Sequence, residues 1–281
     1  MIDVKNVSYT YMSGGPFETA ALKNVSLSLT DGEFIGLMGH TGSGKSTLVQ
    51  IIGGLEKPTE GSVVIDGQTL HSKECDMRAM RFKIGLVMQY PEYQLFEETV
   101  FRDIAFGPTN MGLSEQEIRD RVELAADLAG VKRELLEKSP FELSGGQKRR
   151  AAIAGILAMQ PKILILDEPT AGLDPAGREE LLHKIRDLHK RLGITVLFVS
   201  HSMEDIASMA DRIIVMNRGE AVMSGRPGEI FSRAEQLRGM GLSVPGITDI
   251  CDGLRKRGMP LPEGIYTMDR AVSEIERLLK K

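Results

Sequence analysis

The sequence contains no tryptophan, and aromatic residues make up only 5% of its 281 positions. A chain this poor in large rings must build its core from aliphatic side chains. It has two cysteines, Cys75 and Cys251, far apart and in no C-x-x-C pair. That argues against a disulfide scaffold or a zinc site and fits a reducing compartment. No apolar run approaches the roughly 20 residues needed to cross a bilayer. The best stretches, Ile163–Leu166 and Ile194–Val199, are long enough only for buried strands. The start, Met-Ile-Asp-Val-Lys, has no basic region followed by an apolar middle, so no signal peptide is expected. If the chain serves a membrane, a partner is expected to supply the crossing. Nor is there a charge excess of one sign. Lys plus Arg is 35 against 39 Asp plus Glu, a net −4, which lacks the strong basic bias of a general nucleic-acid binder.

What is present is the balance of a globular protein, 42% hydrophobic and 26% charged, with length for one large domain or two modest ones. Strand patterns cover Asp3–Tyr11 and Leu22–Leu29, separated by a loop with Gly14, Gly15 and Pro16. Further strands are expected at Phe34–Met38, Val63–Asp66 and Ile84–Gln89, with a helix at Leu48–Leu55. From about Thr99 to Ala158 the texture turns helical. Ser114 is a candidate N-cap for a helix running toward Gly130, and a second helix follows Ser144 and ends before Pro161. Alternation then returns: strand Ile163–Leu166, helix Gly177–Arg191, strand Ile194–Val199, helix Met203–Ala210, strands Arg212–Met216 and Glu220–Met223. Such alternation predicts an α/β fold with a mostly parallel sheet and helices on its faces. Beyond Gly225 only helical patterns remain, the last of them with Thr267 as its expected cap.

Gly39-His40-Thr41-Gly42-Ser43-Gly44-Lys45-Ser46 fits G-x-x-x-x-G-K-[ST] in full, between a predicted strand and a predicted helix. Glycines let backbone N–H groups converge on phosphate oxygens, and the following helix aims its positive end at the same anion. Lys45 adds charge toward the outer phosphates, and the Ser46 hydroxyl is placed to ligate Mg²⁺.

The buried strand Ile163–Leu166 runs into Asp167 and Glu168. Ligands of α/β sheets gather at the carboxyl ends of strands. Asp167 is expected to steady Mg²⁺, and Glu168, pointing differently, to polarise an attacking water. Leu143-Ser144-Gly145-Gly146-Gln147 forms a second Ser-plus-Gly helix start, hence a second anion site. Two phosphate-recognising helix starts make sense if two chains meet head to tail and each covers the other's nucleotide.

These motifs, in this order, resemble the ATP-binding cassette (ABC) ATPases over about residues 1–225. The resemblance makes Gly39 to Thr47 the Walker A segment, Asp167-Glu168 the close of Walker B, and Leu143–Gln147 the signature. In that family Ser144, Gly145, Gly146 and Gln147 would contact ATP across a dimer. It further implies that Gln89 is the Q-loop glutamine, linking metal and water to a membrane partner. His201 is the switch histidine near the γ-phosphate. Ala171-Gly172-Leu173-Asp174 resembles the D-loop, with Asp174 reaching the opposing nucleotide. Tyr11 would stack on adenine, with Tyr9, on the same strand face, as its competitor.

A narrower resemblance lies in Gln89-Tyr90-Pro91-Glu92-Tyr93-Gln94-Leu95-Phe96, Asp103–Pro108, Gly145–Arg150 and Thr170–Pro175. These are similar to the ATPase subunits of energy-coupling factor (ECF) transporters, and the Q-loop looks most like the second member of unequal pairs. The resemblance implies a cassette at 1–228 with a helical subdomain at about 99–160, and a helical appendage at 229–281 that could serve dimerisation. It implies a second, related ATPase as partner more than a homodimer. It also implies a transmembrane coupling protein and a membrane subunit that binds a vitamin or a transition-metal ion, no nucleic acid, and a peripheral place on the cytoplasmic face of the cell membrane. Crowding of Glu92, Glu97 and Glu98 beside Tyr93 and Phe96 raises the expectation of an acidic socket for a basic helix. Two rivals are a soluble ABC ATPase acting on nucleic acid or ribosomes, and a nucleotide-gated regulatory module that barely hydrolyses.

Overall fold

A computed structural model describes residues 1–280; Lys281, the last residue of the expected appendage, lies outside them. The chain opens with Ile2–Tyr11 (β1), Thr19–Leu29 (β2), Phe34–Met38 (β3), Lys45–Ile52 (α1), Glu60–Ile65 (β4) and Gln68–Thr69 (β5). Met77–Lys83 (α2) and Ile84–Val87 (β6) follow, then a 3₁₀ turn at Pro91–Gln94. Three helices come next: Val100–Asn110 (α3), Glu115–Ala129 (α4) and Gly145–Leu157 (α5). Alternation resumes with Ile163–Asp167 (β7), Pro175–Leu192 (α6), Thr195–Val199 (β8), Met203–Met209 (α7), Arg212–Asn217 (β9) and Glu220–Gly225 (β10). The end is helical: Pro227–Phe231 (α8), Ala234–Gly239 (α9), Gly246–Lys256 (α10) and Met268–Leu279 (α11).

The strands form two sheets, one in the order β2-β1-β4-β5 and one in the order β10-β9-β3-β8-β7-β6. The first is antiparallel throughout. The second is parallel from β9 to β6, with β10 added antiparallel at one edge.

The central strands are apolar on both faces, and alternation sorts their side chains between two cores. Phe34, Met38, Leu164, Leu166, Val196 and Phe198 join the core shared with α3–α7. Ile35, Leu37, Ile163, Ile165, Leu197 and Val199 join the core shared with α1 and the smaller sheet. Each fully buried Leu, Ile or Val contributes roughly 1.5–3 kcal/mol relative to exposure, so the sheet is held from both sides. Gly36 in β3 is required by this closeness. A Cβ there would stand 2.8 Å from Ile206 Cγ2 of α7.

Helix ends follow their sequence signals. Ser114 and Glu117 form a reciprocal capping box at α4, which ends on Gly130 in the left-handed region. Ser144 and Gln147 do the same at α5. Thr267 stands at the cap position of α11, but its side chain makes no cap hydrogen bond.

Two helices were not expected. α2 is anchored by Asp76, which accepts from the N–H groups of Arg78 and Ala79, yet buries only Met80. α3 carries Gly107 and Pro108 in its last turns, residues that ordinarily mark a loop. Ile84–Gln89 is also shorter as a strand than expected, since β6 ends at Val87.

Past β10, Ile230, Phe231, Ala234, Leu237, Leu242 and Val244 pack into the core of the large sheet. Cys251, Leu261, Ile265 and Ala271 form a small core of their own among α10, α11 and the segment between them. Both cysteines are free thiols. Among the described residues, no helix is long and apolar enough to cross a membrane.

Candidate active site

Four segments leave the carboxyl ends of parallel strands at one edge of the large sheet: Gly39–Gly44 after β3, Gln89 after β6, Glu168 after β7 and His201 after β8. This edge is where α/β sheets bind ligands.

The loop after β3 is shaped by its glycines. Gly42 and Gly44 have φ of +79° and +99°, and Gly44 is the N-cap of α1, a conformation that costs an L side chain about 1–2 kcal/mol. Lys45 is buried, and its ammonium donates to the carbonyl oxygens of Gly39 at 2.7 Å and His40 at 3.0 Å. An ammonium has three donors, so one remains for an incoming anion. Burial pushes the Lys45 pKa down, opposed by the carboxylates of Glu168 and Asp167. Ser43 is buried with its Oγ unpaired. His40 turns its Nε2 to Asn217 at 3.2 Å, while Thr41 is exposed.

Asp167 is the last residue of β7 and is buried. Burial pushes its pKa up, and a hydrogen bond from Ser46 opposes the rise. Glu168 follows with φ of +50°, so the two carboxylates diverge. His201 Nε2 lies 2.7 Å from Glu168 Oε1. Gln89 Nε2 donates to Glu168 Oε2 at 3.1 Å. The structure thus brings Lys45, Ser46, Gln89, Asp167, Glu168 and His201 together. Gln89 reaches the site from a loop two residues beyond its strand rather than from the strand end.

Tyr11 and Tyr9 separate by their hydroxyls. The Tyr11 hydroxyl is 3.1 Å from Thr47 Oγ1, at the base of the phosphate loop, and the residue is exposed. Tyr9 donates to Glu56 at 2.7 Å, and that bond pushes its pKa up to about 12. The two rings meet edge-on at 4.8 Å.

The remaining expected residues lie elsewhere on the surface. Ser144 is exposed and caps α5, and no Cβ placed on Gly145 or Gly146 would meet another atom within 4 Å. Asp174 caps α6, accepting from Gly177 N–H at 2.8 Å. Among the described residues, no hydrogen bond or ion pair joins 144–147 or Asp174 to the phosphate loop, Asp167, Glu168 or His201.

The acidic socket does not form as expected. Glu92 is turned inward, paired through both oxygens with Arg149 at 3.0 and 3.1 Å. Glu98 pairs with Arg102. Arg149 was itself missed, as was the pairing of Arg178 with Asp205 at 2.7 Å, which ties α6 to the helix that follows His201. A basic residue within a helix reads as solvated surface, and its partner lies far along the chain, so sequence carried no signal for either pair.

A P-loop, a buried Asp167, an adjoining half-buried Glu168 and a histidine converging on one sheet edge define a nucleoside-triphosphatase. Residues 22–171 match the family model described as "ABC transporter". Solved structures agree. The chain is similar to cbiO1 from Clostridium perfringens, part of the ABC transporter complex cbiONQ, with a TM-score of 0.75 and 38% identity over 89% of this chain and 98% of that one. It is also similar to a dimeric ATP-binding cassette in a post-hydrolysis state with ADP and Pi, at TM-score 0.72 and 34% identity, covering 80% of this chain and 98% of that one.

Among relatives, the energy-coupling factor transporter ATP-binding protein EcfA2 of Caldanaerobacter subterraneus subsp. tengcongensis is 56% identical over 279 residues, 99% of this chain and 98% of the relative. The protein of the same name from Clostridium perfringens is 50% identical over 99% of this chain and 98% of its own length. The chain belongs to the ABC transporter ATPases, and within them to the energy-coupling factor transporter ATP-binding proteins.

Proposed function

We propose that this chain hydrolyses ATP at the edge formed by Gly39–Thr47, Asp167, Glu168, Gln89 and His201, and that hydrolysis energises import through a membrane complex. The observation that carries the reading is Glu168, held between His201 and Gln89 beside the buried Lys45 and Asp167. ATP lies with its adenine on Tyr11 and its phosphates in the cradle of Gly39, His40, Thr41, Gly42, Ser43, Gly44, Lys45, Ser46 and Thr47. Glu168 orients the water that attacks the γ-phosphorus, and the bond to the β–γ bridging oxygen breaks. His201 and Gln89 sense the γ-phosphate.

Mg²⁺ fits the residues present, since the Ser46 hydroxyl, the Asp167 carboxylate and the Gln89 amide oxygen are the hard oxygen donors such an ion prefers. When bound, the ion would draw charge from the phosphate oxygens.

Ser144, Gly145, Gly146, Gln147 and Asp174 act on the nucleotide of an opposing cassette. The exposure of Ser144, Gly145 and Asp174, and the lack of contact of all five with this chain's own phosphate loop, support that reading. Nucleotide closes the pair, and loss of the γ-phosphate releases it. The partner is a related ATPase, as the expected unequal pairing implies. A transmembrane coupling protein docks beside the exposed Tyr93, Phe96 and Phe106, and a further membrane subunit binds the solute, a vitamin or a transition-metal ion. The chain then sits peripherally on the cytoplasmic face, with a cassette at 1–228, a helical subdomain at about 99–160 and an appendage from 229.

The transporter names of the relatives weigh against the nucleic-acid alternative. The intact Glu168–His201 pair weighs against a module that does not hydrolyse. Glu168→Gln tests the reading. ATP binding should persist while turnover falls by about a hundredfold or more, and wild-type turnover would refute it.

A further inference from the structure

The side chain of Arg149, in α5, is buried, although nothing in the nucleotide site touches it. Its guanidinium donates four hydrogen bonds in two directions. Nε and Nη2 reach the two oxygens of Glu92, at 3.1 and 3.0 Å. Nη1 reaches the carbonyl oxygens of Pro169 at 3.1 Å and Ala171 at 2.7 Å. Glu92 belongs to the 3₁₀ turn that begins two residues after Gln89. Pro169 directly follows Glu168, and Ala171 comes two residues after that.

Both loops are under backbone constraint at their near ends. Tyr90, which opens the turn, has φ of +59°, and Glu168 has φ of +50°. Residues in this region persist only when the surroundings hold them there. A buried guanidinium costs much unless its nitrogens find partners, as all three do here. Here the cost is offset by tying one loop to the other. No other basic side chain has the planar fork that serves a carboxylate on one edge and two carbonyls on the other.

We infer that Arg149 is a positioning residue for hydrolysis, locking the loop that carries Gln89 to the loop that carries Glu168 so that displacement of the 89–94 segment moves the Glu168 carboxylate. The inference rests on the reading of Glu168 as the group that orients water. It gives the first turns of α5 a second task besides the exposed Ser144 end. The same helix that presents 144–147 outward grips both catalytic loops from behind.

A double-mutant cycle in the assembled transporter tests it. The variants are Glu92→Gln, Arg149→Lys and the pair, with Glu168→Gln alongside, and the readouts are kcat, KM for ATP and the melting temperature. Arg149→Lys keeps the charge but loses the fork, and Glu92→Gln keeps the shape but loses the charge, so one remains informative if the other fails to fold. Each single change should lower kcat about three- to thirtyfold with KM for ATP within about twofold. The pair should be no worse than the poorer single change. Multiplying losses, a KM rise that matches the fall in kcat, or full turnover in Arg149→Lys would overturn it. Wild-type turnover in Glu168→Gln would remove the reading of Glu168 and this inference with it. Lost turnover there, with full turnover in both other singles, removes this inference alone.

Discussion

His201 Nε2 lies 2.7 Å from Glu168 Oε1. Gln89 holds the other oxygen, so both oxygens of the carboxylate have partners. The left-handed backbone at Glu168 turns the side chain away from Asp167 and toward these two. The arrangement keeps the Glu168 carboxylate oriented while leaving that of Asp167 separate.

Replacing His201 by Ala removes one of the two groups that aim Glu168. Turnover should fall about a hundredfold, with ATP affinity changed less than about threefold. Steady-state hydrolysis together with equilibrium nucleotide binding separates the two quantities. A change confined to affinity would place His201 in binding rather than in the chemical step.

Asp167 sets stability against function. Burial raises its pKa above the ordinary 3.8, so the folded chain holds this proton to higher pH than the unfolded chain does. Its contribution is most favourable below 3.8 and declines as pH rises through the folded value. Burial outweighs the Ser46 hydrogen bond and the attraction of Lys45 and His201, so the folded chain disfavours the ionised form. Asp167→Asn should therefore raise the stability of the nucleotide-free chain by about 1 kcal/mol, and urea denaturation at pH 7 measures it. The same change should weaken Mg²⁺-dependent ATP binding. A variant both less stable and unaffected in binding would contradict this account.

Most of this architecture was legible because it follows from short-range rules. The apolar runs at Phe34–Met38, Ile163–Leu166 and Ile194–Val199 are buried on both faces, as uninterrupted apolar strands should be. The phosphate loop and the Ser144 cap announced themselves by spacing. Gln89 and His201 were legible only through resemblance, because a polar residue just past a strand has no pattern of its own. The helical texture from Thr99 to Ala158 was legible, but α3 was not singled out within it because Gly107 and Pro108, which ordinarily mark a loop, lie inside the helix. Glu92 was expected to face a partner because three nearby acids resemble a surface patch. Its pairing with Arg149 spans 57 positions, and only the fold reveals it.

Tyr11 and Tyr9 make separable predictions. Tyr11 sits exposed over Thr47, whereas the Tyr9 hydroxyl is committed to Glu56. Loss of a stacking ring costs about 1–3 kcal/mol, so Tyr11→Ala should weaken ATP binding about tenfold. Tyr9→Ala should act mainly on stability. Titration with a fluorescent ATP analogue distinguishes them, and the reverse order of effects would assign adenine to Tyr9.

The central claim is that two chains complete each nucleotide site, one supplying Lys45 and Glu168 and the other the exposed helix start at Ser144. The most direct measurement is a structure of the assembled complex carrying Glu168→Gln and bound to ATP and Mg²⁺. The account predicts the Ser144–Gln147 backbone and the Ser144 hydroxyl within hydrogen-bonding distance of the γ-phosphate seated on the facing cassette. Finding that segment turned to solvent, with ATP enclosed by one chain alone, would contradict it.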